Sequence, residues 1–292
     1  MNLLNKRIEA SRMTEDLPFG KDLSFAASEA YRLLRTSLLF SLPNAEKRCR
    51  VVGITSANAG EGKSTTALNL AYMLAEAHKK VILIEADMRL PTISKRLGLN
   101  PTPGLSNILV GLAGENPLQS SGIEERLKVI SAGDIPLNPS ELLGSDRMKT
   151  LLDALSQNVD FIVLDLPPIN EVADALVVSQ FVDGIVMVVR QNYAKRSAVS
   201  FAMRQLEHAN AKVLGFVMTS SGSHGKGKYK GKYKKYGYYD RKAEGETKDK
   251  ESKPSEKAAS EKAPAQTDEK KQAGAPEAKA EAAGTDASEQ KK

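Results

Sequence analysis

Residues 50–77 read RVVGITSANAGEGKSTTALNLAYMLAEA. The opening RVVGITS is a β-branched run too short for a helix, so it reads as a buried strand. The closing TALNLAYMLAEA is a helical run. Between them Ala57-Asn58-Ala59-Gly60-Glu61-Gly62-Lys63-Ser64-Thr65 fits the Walker A pattern, with Ala57 at the first small position where glycine is more usual. Glycines let backbone N–H groups wrap phosphate oxygens, and the helix start adds its dipole. Lys63 would neutralise the β- and γ-phosphates of ATP, and Ser64 can ligate Mg²⁺. A glycine-rich turn without nucleotide would require strand, loop and helix to coincide by chance.

Working outward, the pattern repeats. Helices are expected near 25–41, 63–77, 139–157, 172–180 and 196–209, and strands near 81–86, 127–131, 160–165, 184–190 and 212–218. Strands alternating with helices, and reading as continuous VILI, FIVL and IVMVV runs, indicate an α/β fold: a doubly wound, mostly parallel sheet covered on both faces. The helix over 25–41 is amphipathic, with Ala30, Leu33, Leu34 and Leu38 at three-to-four spacing and Ser24 in the N-cap position. Ligands of such sheets bind beyond the carboxyl ends of the strands. Two further acidic motifs fall there: VILIEADMRLP carries Glu85 and Asp87, and FIVLDLPP carries Asp165 as the Walker B acid. A hard cation bridging phosphates needs such carboxylates. A lone acid at a strand end is as often a helix cap; three behind one phosphate loop point to the metal.

Composition narrows the class. A hydrophobic fraction of 41% supports a real core, and the single cysteine, Cys49, excludes an internal disulfide and fits a reducing compartment. No apolar run approaches the roughly 20 residues that cross a bilayer, so the expected location is cytoplasmic. The net charge of +6 is concentrated: six lysines and one arginine lie between His224 and Arg241, against Asp240 alone. Residues 241–292 lack every large apolar side chain and are expected to be disordered. Within GKYKGKYKKYGYYD, Tyr229, Tyr233, Tyr236, Tyr238 and Tyr239 sit in a segment with no helical or strand pattern. Phosphoryl transfer asks little of an acceptor beyond in-line positioning, so a flexible strand can present several phenols to one site. Each phosphate would add about −1.5 to −2 charges and reverse the segment's sign. The plainer alternative is a basic aromatic tail for RNA or an anionic surface.

Taken together, AGEGKST, IEADMRLP, FIVLDLPP, the helix EAYRLLR, the NPSELL segment and the tyrosine cluster resemble the bacterial tyrosine kinases of capsule and exopolysaccharide synthesis. The match is to the kind found as a separate cytoplasmic chain in Gram-positive bacteria, and it covers residues 24–240. IEADMRLP looks like that family's modified Walker A′ box, with Glu85 one methylene longer than the usual Asp. The resemblance implies ATP contacts along Ala59, Gly60, Glu61, Gly62, Lys63, Ser64 and Thr65, Mg²⁺ held by Ser64, Asp87 and Asp165, and catalytic roles for Lys63, Glu85, Asp87 and Asp165. It further implies a kinase domain over 24–220, flanked by a flexible segment at 1–23, an autophosphorylation segment at 221–240 and the tail 241–292. The helix over 25–41 would carry a ring-forming contact through Glu29, Arg32 and Arg35. A solvated, snorkelling face is the structural alternative for these three. Partners implied are a transmembrane activator whose cytoplasmic tail recruits the chain to the inner membrane face, a cognate tyrosine phosphatase, and sugar-nucleotide dehydrogenase or glycosyltransferase substrates. Two other readings stand beside it: a regulatory ATP-binding module, and a partition or septum-site ATPase. The latter places an extra lysine five residues before the Walker lysine, where this chain has Asn58, so nucleic acid is not expected as a partner.

Overall fold

The computed structural model describes residues 17–42, 49–112 and 117–220. Residues 1–16 of the expected flexible segment 1–23, the segment 221–240 with its five tyrosines, and 241–292 lie outside the described residues; the remainder of the first holds a 3-10 turn at Gly20–Asp22, whose buried Gly20 N–H donates to Asn69 Oδ1 at 3.0 Å. Strand side chains alternate between two apolar layers. In β1 (Arg50–Ser56), Val52 and Ile54 enter one layer and Val51 the other; in β2 (Val81–Glu85), Val81 and Leu83 oppose Ile82 and Ile84. β5 (Phe161–Asp165) and β6 (Gly184–Arg190) divide the same way, Val163 and Val186 against Ile162 and Ile185. Two covered faces explain why these strands read as unbroken apolar runs rather than as an alternating pattern.

With β3 (Leu118–Ser120), β4 (Leu127–Ile130) and β7 (Val213–Thr219), the sheet runs in the order β3-β4-β2-β5-β1-β6-β7. All pairings are parallel except β3 against β4. The parallel core and its helices match the expected class. The antiparallel edge strand β3 was not anticipated, being three residues long and without a pattern of its own.

α1 (Phe25–Ser41) begins at Ser24, whose hydroxyl accepts from the Ala27 N–H as expected of an N-cap. α2 (Lys63–Glu76) follows the phosphate loop and is buried continuously from Thr66 to Ala75. It is covered around its whole circumference, with Thr66 and Asn69 the buried polar exceptions, because the sheet covers one side while Tyr31, Leu34 and Leu38 of α1 close the same layer. Two short helices, α3 (Ile93–Leu97) and α4 (Leu105–Val110), fill the β2–β3 connection. The expected helix over 139–157 is two: α5 (Pro139–Leu143) and α6 (Asp146–Ser156), broken at Gly144. Ser145 restarts the helix, its hydroxyl accepting from the Met148 N–H, so a capping signal inside the run overrides the periodicity. α7 (Asp174–Val178) and α8 (Arg196–His208) complete the cover over the second layer.

The strand order has one consequence for chemistry. Glu85, Asp165, Ser56, Arg190 and Thr219 end adjacent strands β2, β5, β1, β6 and β7, and stand in a row along one edge of the sheet.

Candidate active site

The phosphate loop leaves β1 at that edge. Gly60 and Gly62 have φ of +80° and +94°, a region that side-chain-bearing residues rarely enter. A Cβ on Gly60 would also lie 3.3 Å from the Tyr193 phenol oxygen. Glu61 turns inward: its buried Oε1 accepts from the backbone N–H and the side-chain amide of Asn58, each at 3.0 Å. Burial pushes the Glu61 carboxyl up, and the Asn58 hydrogen bonds only partly oppose it.

Helix α2 then delivers Lys63. Its Nζ lies 2.7 Å from Asp87 Oδ2, 3.7 Å from Asp165 Oδ1 and 3.2 Å from Ser64 Oγ. Burial alone would lower the ammonium's pKa, but Asp165 and Asp87 overcome it and the net direction is up, so the charge is secure. Asp87 is fixed through Oδ1, which accepts from the Leu90 N–H at 3.1 Å. Asp165 differs: it is 1% exposed and neither oxygen has a hydrogen-bond partner among the described residues. Its carboxyl is pushed up to about 6 by burial, against the pull of Lys63. A buried carboxylate with both oxygens unsatisfied, beside a hydroxyl and a second carboxylate, is the donor set a hard divalent cation accepts. Ser64, Asp87 and Asp165 therefore fit Mg²⁺ with the phosphates of a nucleotide.

Glu85, expected among the catalytic residues, is engaged by backbone donors. Fully buried, its Oε1 accepts from the N–H groups of Thr92 and Ile93, and its Oε2 from Ser94 at 3.3 Å and Ala132 at 3.4 Å. The carboxylate thus caps the start of α3 and ties it to the loop after β4. The extra methylene relative to Asp supplies the reach.

Several residues that sequence reasoning passed over brace the site. Arg89, inside the quoted IEADMRLP, forms a fork with buried Asp174 through Nε at 3.0 Å and Nη2 at 3.1 Å, and reaches Ser140 Oγ at 3.3 Å. Ser140 Oγ also donates to Asp174. This joins the Asp87 loop to α5, hence to NPSELL, and to α7; no local pattern marks Asp174 as the partner. Arg96 of α3 donates to Thr65 Oγ1 at 3.0 Å, lies 5.2 Å from the Phe19 ring centroid and reaches the Leu17 carbonyl at 3.0 Å. Ala59 N–H donates to Glu171 Oε1 at 3.0 Å.

Glu29, Arg32 and Arg35 lie on α1, away from this cluster. Arg32 pairs with Glu29 at 2.6 Å and Glu76 of α2 at 3.5 Å, while Arg35 donates to the Met73 carbonyl at 2.7 Å. The motif therefore fastens α1 to α2 within one chain. On the same stretch of helix Leu33 is 68% and Phe40 85% exposed.

Comparison with known proteins agrees with this geometry. A family model described as "ParA: NUBPL iron-transfer P-loop NTPase" matches residues 47–249. The chain is 36% identical to the tyrosine-protein kinase YwqD of Bacillus subtilis (strain 168), over 80% of this chain and 95% of that one. Among solved structures, the chimerical protein CapA2B2 aligns with a TM-score of 0.62 at 33% identity, covering 72% of this chain and 97% of that one. The kinase domain of the Escherichia coli tyrosine kinase ETK also aligns at 0.62 and 33%, covering 69% and 80%. A phosphate loop, two acids following or ending strands that meet its lysine, and these alignments lead to one conclusion: the chain belongs to the bacterial tyrosine-protein kinases built on the P-loop ATPase fold.

Proposed function

We propose that this protein transfers the γ-phosphoryl group of ATP to tyrosine hydroxyls, starting with Tyr229, Tyr233, Tyr236, Tyr238 and Tyr239 of a second copy, and thereby regulates capsular or exopolysaccharide synthesis. The observation that carries the reading is the convergence of Lys63 with Asp87 and Asp165, at 2.7 and 3.7 Å. Ser64, Asp87 and Asp165 would hold Mg²⁺, which when bound would supply electrostatic stabilisation of the charge on the transferring group. Lys63 leaves Asp87 for the phosphate oxygens, and the loop N–H groups orient the chain of phosphates. Once Lys63 has left it, one oxygen of Asp87 is placed to accept the phenol's proton while the carboxylate stays with the metal, as the O–P bond forms and the bond to ADP breaks. A buried carboxylate in a loop held by Arg89 keeps its aim, and aim is most of what this chemistry requires.

Self-association is supported by the exposed Leu33 and Phe40 beside the Glu29–Arg32 pair, an apolar face that a second copy could cover. No helix among the described residues is long and apolar enough to cross a membrane. Recruitment to the inner membrane face would therefore run through a transmembrane activator's cytoplasmic tail. A cognate tyrosine phosphatase would reset the segment, and sugar-nucleotide dehydrogenases or glycosyltransferases are the proposed further substrates. Kinship with iron-transfer P-loop NTPases is one of fold: the single cysteine, buried Cys49, cannot supply the thiolate set of an iron–sulfur cluster.

The test is phosphopeptide mapping after incubation with Mg²⁺ and ATP, beside a Lys63→Met control, with and without the activator tail. Phosphate on Tyr229 to Tyr239 that the control lacks is the expected result. Nucleotide binding without phosphotyrosine in either condition would leave the regulatory-module reading as the better one.

A further inference from the structure

Three successive carbonyls of the phosphate loop are each held from outside by a side chain of β6, β7 or the turn after β6. Tyr193 Oη donates to the Ala59 carbonyl at 3.1 Å, Arg190 Nη1 to the Gly60 carbonyl at 3.1 Å, and Thr219 Oγ1 to the Glu61 carbonyl at 2.8 Å. The donors support one another. Arg190 and Thr219 are register partners at the ends of β6 and β7, Gln191 N–H donates to the Thr219 carbonyl at 3.0 Å, and the Arg190 guanidinium lies 5.2 Å from the Tyr193 ring centroid.

A trans peptide points its C=O and its N–H in opposite directions. Pinning the carbonyls of Ala59, Gly60 and Glu61 outward therefore aims the N–H groups of Gly60, Glu61 and Gly62 inward, and these three are the donors a triphosphate needs. The positive φ at Gly60 and Gly62 lets the chain make that turn, but it does not choose the direction in which the peptides face. The clamp chooses it. Its middle member is charged, so the Gly60–Glu61 peptide is also polarised toward phosphate.

We infer that Arg190, Tyr193 and Thr219 are positioning residues for nucleotide phosphate, acting through the loop backbone without touching the reacting atoms. The inference rests on the phosphate-loop reading above but does not require tyrosine as the acceptor.

The experiment measures Mg·ADP affinity by calorimetry and the KM–kcat split for ATP in Tyr193→Phe, Thr219→Val, Thr219→Ser and Arg190→Gln. Tyr193→Phe and Thr219→Val each remove one neutral hydrogen bond and are expected to weaken ADP binding about 2- to 10-fold. Arg190→Gln should cost about 10-fold or more, since its bond is charge-assisted. KM should rise with kcat unchanged, and Thr219→Ser, which keeps the hydroxyl, should bind as the unaltered protein does. Variants that bind ADP like the unaltered protein would overturn the inference, as would a Thr219→Ser as weak as Thr219→Val. Strong ADP binding by the unaltered protein without any phosphotyrosine would sink the kinase reading alone and leave this one standing.

Discussion

Asp165→Asn should stabilise the nucleotide-free fold while abolishing its use. The carboxyl is 1% exposed, lacks a hydrogen-bond partner at either oxygen among the described residues, and has its pKa raised from 3.8 to about 6. A shift of that size corresponds to about 3 kcal/mol. The folded carboxyl holds its proton more tightly than the unfolded one. Its contribution to stability is therefore fully present below the unfolded pKa of 3.8 and is lost as pH rises through about 6. At about pH 7.5 the ionised group works against the fold, and the amide removes that cost. Lys63 loses an attraction at 3.7 Å but keeps Asp87 at 2.7 Å, which trims the net gain to about 1–3 kcal/mol. The assay is urea unfolding of both proteins in chelator, without nucleotide, at about pH 4 and about pH 7.5. The variant should be more stable at the higher pH and level with the unaltered protein at the lower one. Destabilisation at the higher pH, or an equal gain at both, would refute the argument that the carboxylate is held in place for a cation at the fold's expense. Mg·ATP should restore stability to the unaltered protein and not to the variant.

Glu85→Ala should cost about 2–4 kcal/mol in urea unfolding, because it strands the part-buried N–H of Thr92 and the buried N–H of Ile93. Glu85→Gln, which keeps one acceptor oxygen, should retain measurable phosphotransfer; loss equal to that of Asp87→Asn would restore a direct catalytic role. Arg89→Ala leaves the Asp174 carboxylate buried without its cation and should destabilise by about 3–5 kcal/mol, whereas the double variant Arg89→Leu, Asp174→Leu should recover much of it; a double variant as unstable as the single one would exclude that account. Replacing Leu33 and Phe40 together by Ser should lower oligomer mass in sedimentation while leaving the unfolding midpoint nearly unchanged, since both side chains are exposed; an unaltered mass would remove α1 as the contact.

Much of this was legible in the sequence because it is local. The β-branched run, the glycines and the following helix of residues 50–77 must lie next to one another whatever the rest of the chain does, and the Ser24 cap needs only the residues that follow it. The apolar runs likewise announce strands covered on both faces. Sequence falls short where a residue's partner is distant. Glu85 has the chemistry expected of an acid near Asp87, and its oxygens also accept from the start of α3 and the loop after β4, 7 to 47 positions away, partners that no local window contains. The helix over 139–157 looked continuous until Ser145 found its own backbone partner.

Composition and motif spacing thus determined the fold class, the phosphate loop and the acids that face it. Tertiary structure alone decided which acid meets Lys63, which one caps a helix, and which side chains turn the loop's peptides inward. The hydrogen bond from Arg190 to Gly60 joins residues 130 positions apart. No window of sequence contains both ends; only the side-by-side packing of β1, β6 and β7 brings the donor to its carbonyl.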